Sequence, residues 1–181
     1  MSNKRFRSLV LILLLILATS ACITSCALYN EATEKTGFGI YLIDTGEMVL
    51  SDEHIKAYHR NVHLTVAEED THAIELNEAG IKRWNSYLTY EGMPKLKETL
   101  YQRDFAVKIY DEDIYKGKFY SMFSSISFDG VVILDAVIRL NDEKNMIYIS
   151  HGYPTSSFST GQDPRNSPVI LKYLDSHGLL K

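Results

Sequence analysis

The stretch AIELNEAGIKRWNSYL, Ala73 to Leu88, decides how the chain folds. Ala73 to Leu76 reads as a short strand. Asn77 then offers the short acceptor side chain that caps a helix, and Glu78 suits the positive end of the helix dipole. Leu76 and Ile81 stand at the positions of a hydrophobic staple. Ile81, Trp84 and Leu88 recur at i, i+3 and i+7, which makes one helix face apolar. The helix is expected to end near Tyr90, before Gly92 and Pro94. A strand that passes directly into an amphipathic helix lays that helix on a sheet.

Outward from this joint the pattern is mostly of strands. Phe38–Ile43 and Met48–Leu50 flank Asp44-Thr45-Gly46, a turn. Ile55–Val66 fits strand or helix, with β-branched Val62, Thr65 and Val66 favouring strand at its end. Phe105, Val107 and Ile109 alternate with Lys108 and Tyr110. Ile114–Tyr120 and Met122–Phe128 follow as strands, and Asp129-Gly130 predicts a hairpin turn. Val131–Leu140 is the most apolar stretch and is expected at the sheet centre; Asn141–Asn145 turns and Met146–Ser150 returns. After a loop from His151 to Pro168, Ser167 and Pro168 open a last helix. Its buried face is Val169, Ile170, Tyr173 and Leu174, and Gly178 ends it with Leu174 touching Leu179. The predicted class is α+β: an antiparallel sheet with a helix packed on one face and a C-terminal helix, one domain over residues 38–181.

The first residues supply an address. Lys4, Arg5 and Arg7 precede an apolar run, Leu9–Ala18, and the small or polar Thr19, Ser20 and Ala21, the layout of an export signal. The run alone is shorter than the roughly 20 apolar residues that span a bilayer. Both cysteines of the chain, Cys22 and Cys26, lie just after it. Ile23-Thr24-Ser25-Cys26 resembles the lipobox of bacterial lipoproteins, in which the Cys thiol takes a diacylglycerol and the chain is cut just before it. Thr19-Ser20-Ala21-Cys22 matches less well, because Thr19 stands where a branched apolar residue is usual. The expectation is a signal peptide over 1–25, a lipid on Cys26 and a polar tether over 26–37. Lipidation at Cys22, an ordinary cut after Ala18-Thr19-Ser20, and an uncleaved anchor over Ser8–Leu28 remain open. Each reading places the body outside the cytoplasm, and the favoured one anchors it to the cell membrane.

Removing 1–25 removes three basic residues and no acid, so the net charge becomes (19 − 3) − 23 = −7. An acidic body has no electrostatic footprint for nucleic acid. It is also repelled by anionic head groups, so membrane attachment must come from a lipid or an apolar anchor. With Cys26 first, no thiol pair remains and the core alone must stabilise the domain.

No residue set reads as catalytic, and no metal or cofactor is expected. Asp44-Thr45-Gly46 is the aspartic-protease tripeptide, but Glu47 follows it and a hairpin turn explains it. His54, His59, His63 and His72 lack zinc-site spacing and read as surface imidazoles. Ser121, Ser124, Ser125 and Ser127 lack the nucleophile elbow and read as outward strand positions. Asp104, Asp111, Glu112 and Asp113 lack the spacing of a calcium loop and read as turn acids. Asp135 and Arg139 read as an ion pair on one face of a strand. Six of the twelve tyrosines lie between Tyr87 and Tyr120, a composition suited to recognition surfaces and to strands alike. The expected binding surface is the 151–168 loop. It carries three of the four prolines, Pro154, Pro164 and Pro168, and is expected to expose Tyr153, Phe158, Asp163 and Arg165.

Leu50–Ile55 (LSDEHI), Ile74–Trp84 (IELNEAGIKRW), Phe105–Tyr115 (FAVKIYDEDIY) and Ser124–Gly130 (SSISFDG) are, in order, similar to the head of the first extracytoplasmic domain of SecD, a protein-export subunit. The resemblance runs over about Phe38–Leu140. It implies a fold and a contact with extended polypeptide, but no motor, because this chain has at most one span where SecD has several. The functional expectation is a non-enzymatic, lipid-anchored domain that binds a protein or peptide at the cell surface. The alternative is a small cell-envelope hydrolase with a site near Asp135 or the 151–168 loop.

Overall fold

Alternating apolar and polar residues pair into one sheet that the two helices fill from inside. The structure, a computed structural model, describes residues 37–62, 71–89, 95–96, 100–135 and 139–181. The signal segment, Cys22, Cys26, the tether up to residue 36, His63, Thr65, Val66, Tyr90, Gly92, Pro94 and residues 136–138 lie outside the described residues. The strands are β1 (Phe38–Leu42), β2 (Met48–Ser51), β3 (Ile55–Val62), β4 (Thr71–Leu76), β5 (Leu88–Thr89), β6 (Lys95–Leu96), β7 (Asp104–Ile109), β8 (Glu112–Tyr120), β9 (Phe128–Leu134) and β10 (Met146–Tyr153). The helices are α1 (Glu78–Ser86) and α2 (Pro168–Ser176). The main sheet has eight strands in the order β2-β1-β7-β8-β9-β10-β4-β3, and β5 and β6 pair separately.

The strand order fixes the curvature. β2 and β3 are the two edges of the sheet, yet only the 3-10 turn Asp52–His54 separates them in sequence. Consecutive Cα atoms are 3.8 Å apart, so Ser51 and Ile55 lie within about 15 Å of each other. The sheet therefore rolls until its edges approach, giving a half-barrel. Its concave face carries every second residue of most strands: Phe38, Ile40 and Leu42, then Phe105, Val107 and Ile109, then Val131 and Ile133. Trp84 of α1 and Ile170, Tyr173 and Leu174 of α2 join the same core. Both helices thus pack on the inner face.

Asn77 holds the corner where the edges meet. Its Oδ1 accepts the Gly80 amide at 3.0 Å, its Nδ2 donates to the Glu53 carbonyl at 2.7 Å, and its own amide donates to the His54 carbonyl at 3.1 Å. The helix comes so close to this turn that a Cβ at Gly80 would fall 2.1 Å from the His54 oxygen. Both edges are covered as well. Arg83 of α1 donates to the Met48 and Val49 carbonyls of β2, and Leu179 and Lys181 bond the backbone of Tyr58 on β3. These contacts occupy the outer edge of β2 at Met48 and Val49 and that of β3 at Tyr58, which hinders the addition of another strand there.

The α+β class, the Asn77 cap, the strand joint, the central place of β9 and the ending of α2 agree with the sequence reading. Leu179 donates to Leu174 at 2.8 Å and Gly178 to Asp175 at 3.0 Å, the two bonds of a Schellman ending. Six expectations are corrected. The sheet is mixed, because β8 and β9 run parallel, with Gly117 opposite Val131 and Tyr120 opposite Leu134. The cause is local. Residues 121–127 form a crossover loop instead of a strand, and Asp129-Gly130 lies inside β9 instead of turning. Helix α1 stops at Ser86, with Tyr87 as its cap. Val169 is exposed, and no side-chain bond from Ser167 caps α2.

Trp84 is fully buried, tilted against Phe119 with ring centroids 6.3 Å apart, and its Nε1 finds no hydrogen-bond partner. Trp84→Ala should cost about 3–5 kcal/mol, as for other large buried aromatics. Trp84→Phe should cost about 1 kcal/mol or less, because it also removes a buried donor that lacks a partner. Urea unfolding of the two variants measures both; equal losses would show that the indole nitrogen carries no penalty.

Candidate functional site

The outer, convex face of the sheet carries the features that the core does not use. At its centre the 121–127 crossover runs back over the sheet between two parallel strands, a connection that usually takes roughly a dozen residues or more. A small second core supports it: Tyr120 of β8, Val132 and Leu134 of β9, and Tyr153 of β10, with Phe128 against them. The Tyr120 and Tyr153 rings sit 4.9 Å apart. The Tyr120 hydroxyl donates to the Ile126 carbonyl at 3.0 Å. The Tyr153 hydroxyl reaches the Met122 carbonyl at 2.9 Å and the Ser124 carbonyl at 3.0 Å. Asp135 accepts the Met122 amide at 2.7 Å. Ser121 and Ser124 take the Phe123 and Ile126 amides on their own hydroxyls, at 3.3 and 3.2 Å. These serines serve a loop, where the sequence suggested strand positions. Asp135 lies just past the end of β9 and binds this loop; residues 136–138, which join it to Arg139, lie outside the described residues. With these groups bound inward, the loop exposes Met122, Phe123 and Ile126 at 38, 64 and 58 %, together with Ser125 and Ser127.

The 151–168 loop differs from its expectation. Tyr153 and Arg165 are buried, 6 and 1 % exposed, and Asp163 is half-buried; Phe158 alone of the four is exposed. Tyr153 belongs to β10 and holds the crossover. Arg165 clamps its own loop to the sheet: its Nε and Nη2 donate to the two oxygens of Asp163 at 2.9 and 2.8 Å, and its Nη1 to the Ile149 carbonyl at 2.5 Å. These are internal ties. The signal missed in the sequence was that Asp163 and Arg165, two apart around Pro164, can close a bidentate pair across one 3-10 turn.

Beside that clamp lies His72, also buried, where the sequence suggested surface imidazoles. Its Nδ1 meets the Tyr58 hydroxyl at 2.8 Å, edge-on to the Tyr58 ring. Burial, and then the Arg165 guanidinium nearby, push His72 down to about 4. Burial also raises Tyr58 and Tyr115 well above the ordinary phenol range. The other described histidines have local partners. His54 Nδ1 lies 2.9 Å from the Ser51 hydroxyl. His59 meets Glu75 at 3.1 Å, and the bonds from Lys56 and then His59 hold Glu75 at about 2. Among the described residues no group of three or more His, Cys, Asp and Glu is placed to hold a metal ion.

On the outer face of β1, β7 and β8 an open groove of about 320 Å³ is lined by Tyr41, Ile43, Ala106, Lys108, Tyr110 and Asp113 among others. Lys108 stands over the Tyr41 ring at 5.6 Å and pairs with Asp113 at 3.0 Å. Tyr110 projects from the tight turn that joins β7 to β8, with its backbone at φ +56°. Asp, Asn and Gly are the usual residues there; a bulky side chain in the left-handed region costs on the order of 1–2 kcal/mol. The ring recovers only an edge contact with Tyr173 at 5.8 Å and stays 51 % exposed. Asp44-Thr45-Gly46 is a turn at the rim, as its sequence suggests, with Asp44 bound by Arg103.

Among the described residues three serines lie within hydrogen-bond reach of a histidine, Ser51 at 2.9 Å from His54, Ser176 at 3.1 Å from His177 and Ser159 at 3.0 Å from His151, and the last of these stands near Asp129. The neighbouring Asp129 is occupied by the Thr160 amide and hydroxyl at 2.8 and 2.6 Å, and these bonds lower its pKa.

His72 gives the fold a pH dependence. The unfolded chain binds a proton on this residue below about pH 6.5, but the folded chain only below about 4. Stability is therefore full above pH 6.5 and falls as the pH drops towards 4, by at most about 3 kcal/mol for a shift of this size. His54, also lowered by burial, adds to the same slope. Urea titrations at pH 7 and pH 4.5 should show this loss, and His72→Gln should flatten most of it. An unchanged slope in the variant would place the proton elsewhere.

No family model, no curated protein and no solved structure matches this chain.

Proposed function

We propose that the chain is a non-enzymatic binding domain, held outside the cytoplasm by a lipid on Cys26, that takes a protein or peptide in the Tyr41–Tyr110 groove. The observation that carries this reading is Tyr110. The turn would fold with less strain around a smaller residue, and the ring contributes little to the core. Its position makes sense as one wall of a contact surface. The groove adds an apolar wall in Ile43 and a charged pair, Lys108 and Asp113, that can hydrogen-bond a passing backbone. The groove lies on the sheet face, so a partner there meets side chains instead of adding a strand. Among the described residues no helix is long and apolar enough to cross a membrane, and the attachment is assigned to the N-terminal segment. A lipid there would also agree with the acidic body, which has no other means of holding an anionic surface.

A small hydrolase is the second reading, and the Ser159–His151 pair in the 151–168 loop favours it. A fluorophosphonate probe that labels the wild type but not Ser159→Ala would support it.

The anchor and the groove have separate tests. Cys26→Ala should abolish incorporation of labelled fatty acid and leave an unprocessed precursor, while Cys22→Ala should not. Loss of label from Cys22→Ala alone would move the site. Ile43→Ser with Tyr110→Asn should leave the domain at least as stable as the wild type, because Asn relieves a left-handed strain on the order of 1–2 kcal/mol at 110, while proteins cross-linked to the domain on intact cells disappear. Undiminished cross-linking would exclude the groove.

A further inference from the structure

The groove does not account for Met122, Phe123 and Ile126, the apolar tip of the crossover. We propose that this tip is a lipid-docking element that sets the domain on the bilayer to which the chain is tethered. The proposal rests on the anchored reading above.

Three observations point to lipid. The tip side chains carry no hydrogen-bonding group, and the loop's inward polar atoms are already bound: the Met122, Ser124 and Ile126 carbonyls by tyrosine hydroxyls, and the Met122, Phe123 and Ile126 amides by Asp135 and two serines. Hydrocarbon demands such internal satisfaction, because it offers no replacement partner; a protein partner could supply bonds of its own and does not require it. Second, the loop is held by three side chains from beneath, so the tip enters a surface without further ordering. Third, the tether is long enough to serve the tip. The Gly37 carbonyl accepts the Tyr110 amide at 2.5 Å, which puts the start of the folded chain beside the β7–β8 turn. β9 runs parallel to β8 with Tyr120 opposite Leu134, so the crossover leaves β8 at the far end, where Asp135 binds Met122, and comes back towards the turn at Phe128. Adjacent strands are about 4.8 Å apart and a strand rises about 3.3 Å per residue, so even the far end of the crossover is roughly 15 Å across the sheet and 30 Å along it, about 35 Å in all. From Cys26 to Gly37 an extended chain spans at most about 40 Å. The anchor and the tip can therefore reach one bilayer together.

Three apolar side chains bind lipid weakly by themselves. A tether changes the scale, because a second contact on one molecule acts at a high effective concentration. The tip thus orients a domain that is already attached, and it acts through apolar burial, which an acidic body can use on a zwitterionic surface.

The test uses the full chain in phosphatidylcholine vesicles, with Phe123→Trp as probe and Val169→Trp as control. Val169 is exposed on α2, whose other face fills the inner core, so it lies away from the crossover. Flotation with the vesicles comes first: a chain that does not float defeats the anchor, not the tip. In floating protein the emission of Phe123→Trp should shift to the blue and lose most of its intensity when brominated lipid replaces ordinary lipid. Val169→Trp should stay open to aqueous iodide, and Trp84 supplies a buried background common to both. Ile126→Trp repeats the measurement should the first variant fold poorly. Quenching of the control as strongly as the tip would reduce the effect to general adsorption and overturn the proposal. An indole at 123 that iodide reaches and brominated lipid does not would overturn it too. So would an indole shielded from both, which would mean that protein covers the tip.

Discussion

The rolled sheet depends on Asn77. A sheet whose edge strands are consecutive in sequence can close only if the link between them is fixed, and the link here is the turn Asp52–His54. Asn77 binds that turn twice and caps α1 with its remaining oxygen. The same contact positions Arg83, which then covers the edge of β2. A side chain at Gly80 would push the helix off the turn and free the corner. The strand order requires the curvature, and one capping residue and one missing Cβ hold the corner where the two edges meet.

The outer face follows a different rule. A parallel pair without a helix between its strands leaves a short connection lying on the sheet, and its backbone groups need partners there. Tyr120, Tyr153 and Asp135 provide them, each an apolar or compact side chain that ends in a polar atom. That arrangement ties several of the loop's polar groups to the sheet and leaves Met122, Phe123 and Ile126 outward, beside the exposed Ser125 and Ser127. The exposed tip is thus a consequence of how the crossover is satisfied, and its composition (Met, Phe and Ile) is what gives it a use.

How much of this was legible depended on whether the signal was local. Asn77, the strand before it and the Schellman ending of α2 rest on neighbours within a few residues, and the sequence shows them. Asp129-Gly130 misled because a good turn dipeptide is also tolerated inside a strand. Read as a hairpin, it sets a strand over Met122–Phe128 between β8 and β9 and hides their direct parallel pairing. The burial of Tyr153, Arg165 and His72 was not legible. Each is a polar residue whose partner lies on another strand or turn: the Met122 carbonyl, the Ile149 carbonyl, the Tyr58 hydroxyl. Sequence patterns treat such residues as exposed because they are usually so. Tyr110 in the groove was visible only as one tyrosine among several, since its strain is a property of backbone geometry.

The two outer surfaces share a physical feature that the expected one lacks. Binding costs the ordering of whatever was mobile before contact, on the order of 1–2 kcal/mol for each residue whose backbone is fixed. The crossover and the Tyr110 turn have met that cost in folding, one through its hydrogen bonds and the other through a two-stranded turn beside Tyr173. In the 151–168 loop the same kind of rigidity is directed inward, because Arg165 and Tyr153 spend their polar groups on the protein itself. Rigidity therefore does not mark a site by itself. What separates the loops is where the side chains go once the backbone is fixed: into the sheet at Tyr153 and Arg165, and into solvent at Tyr110, Phe123 and Ile126.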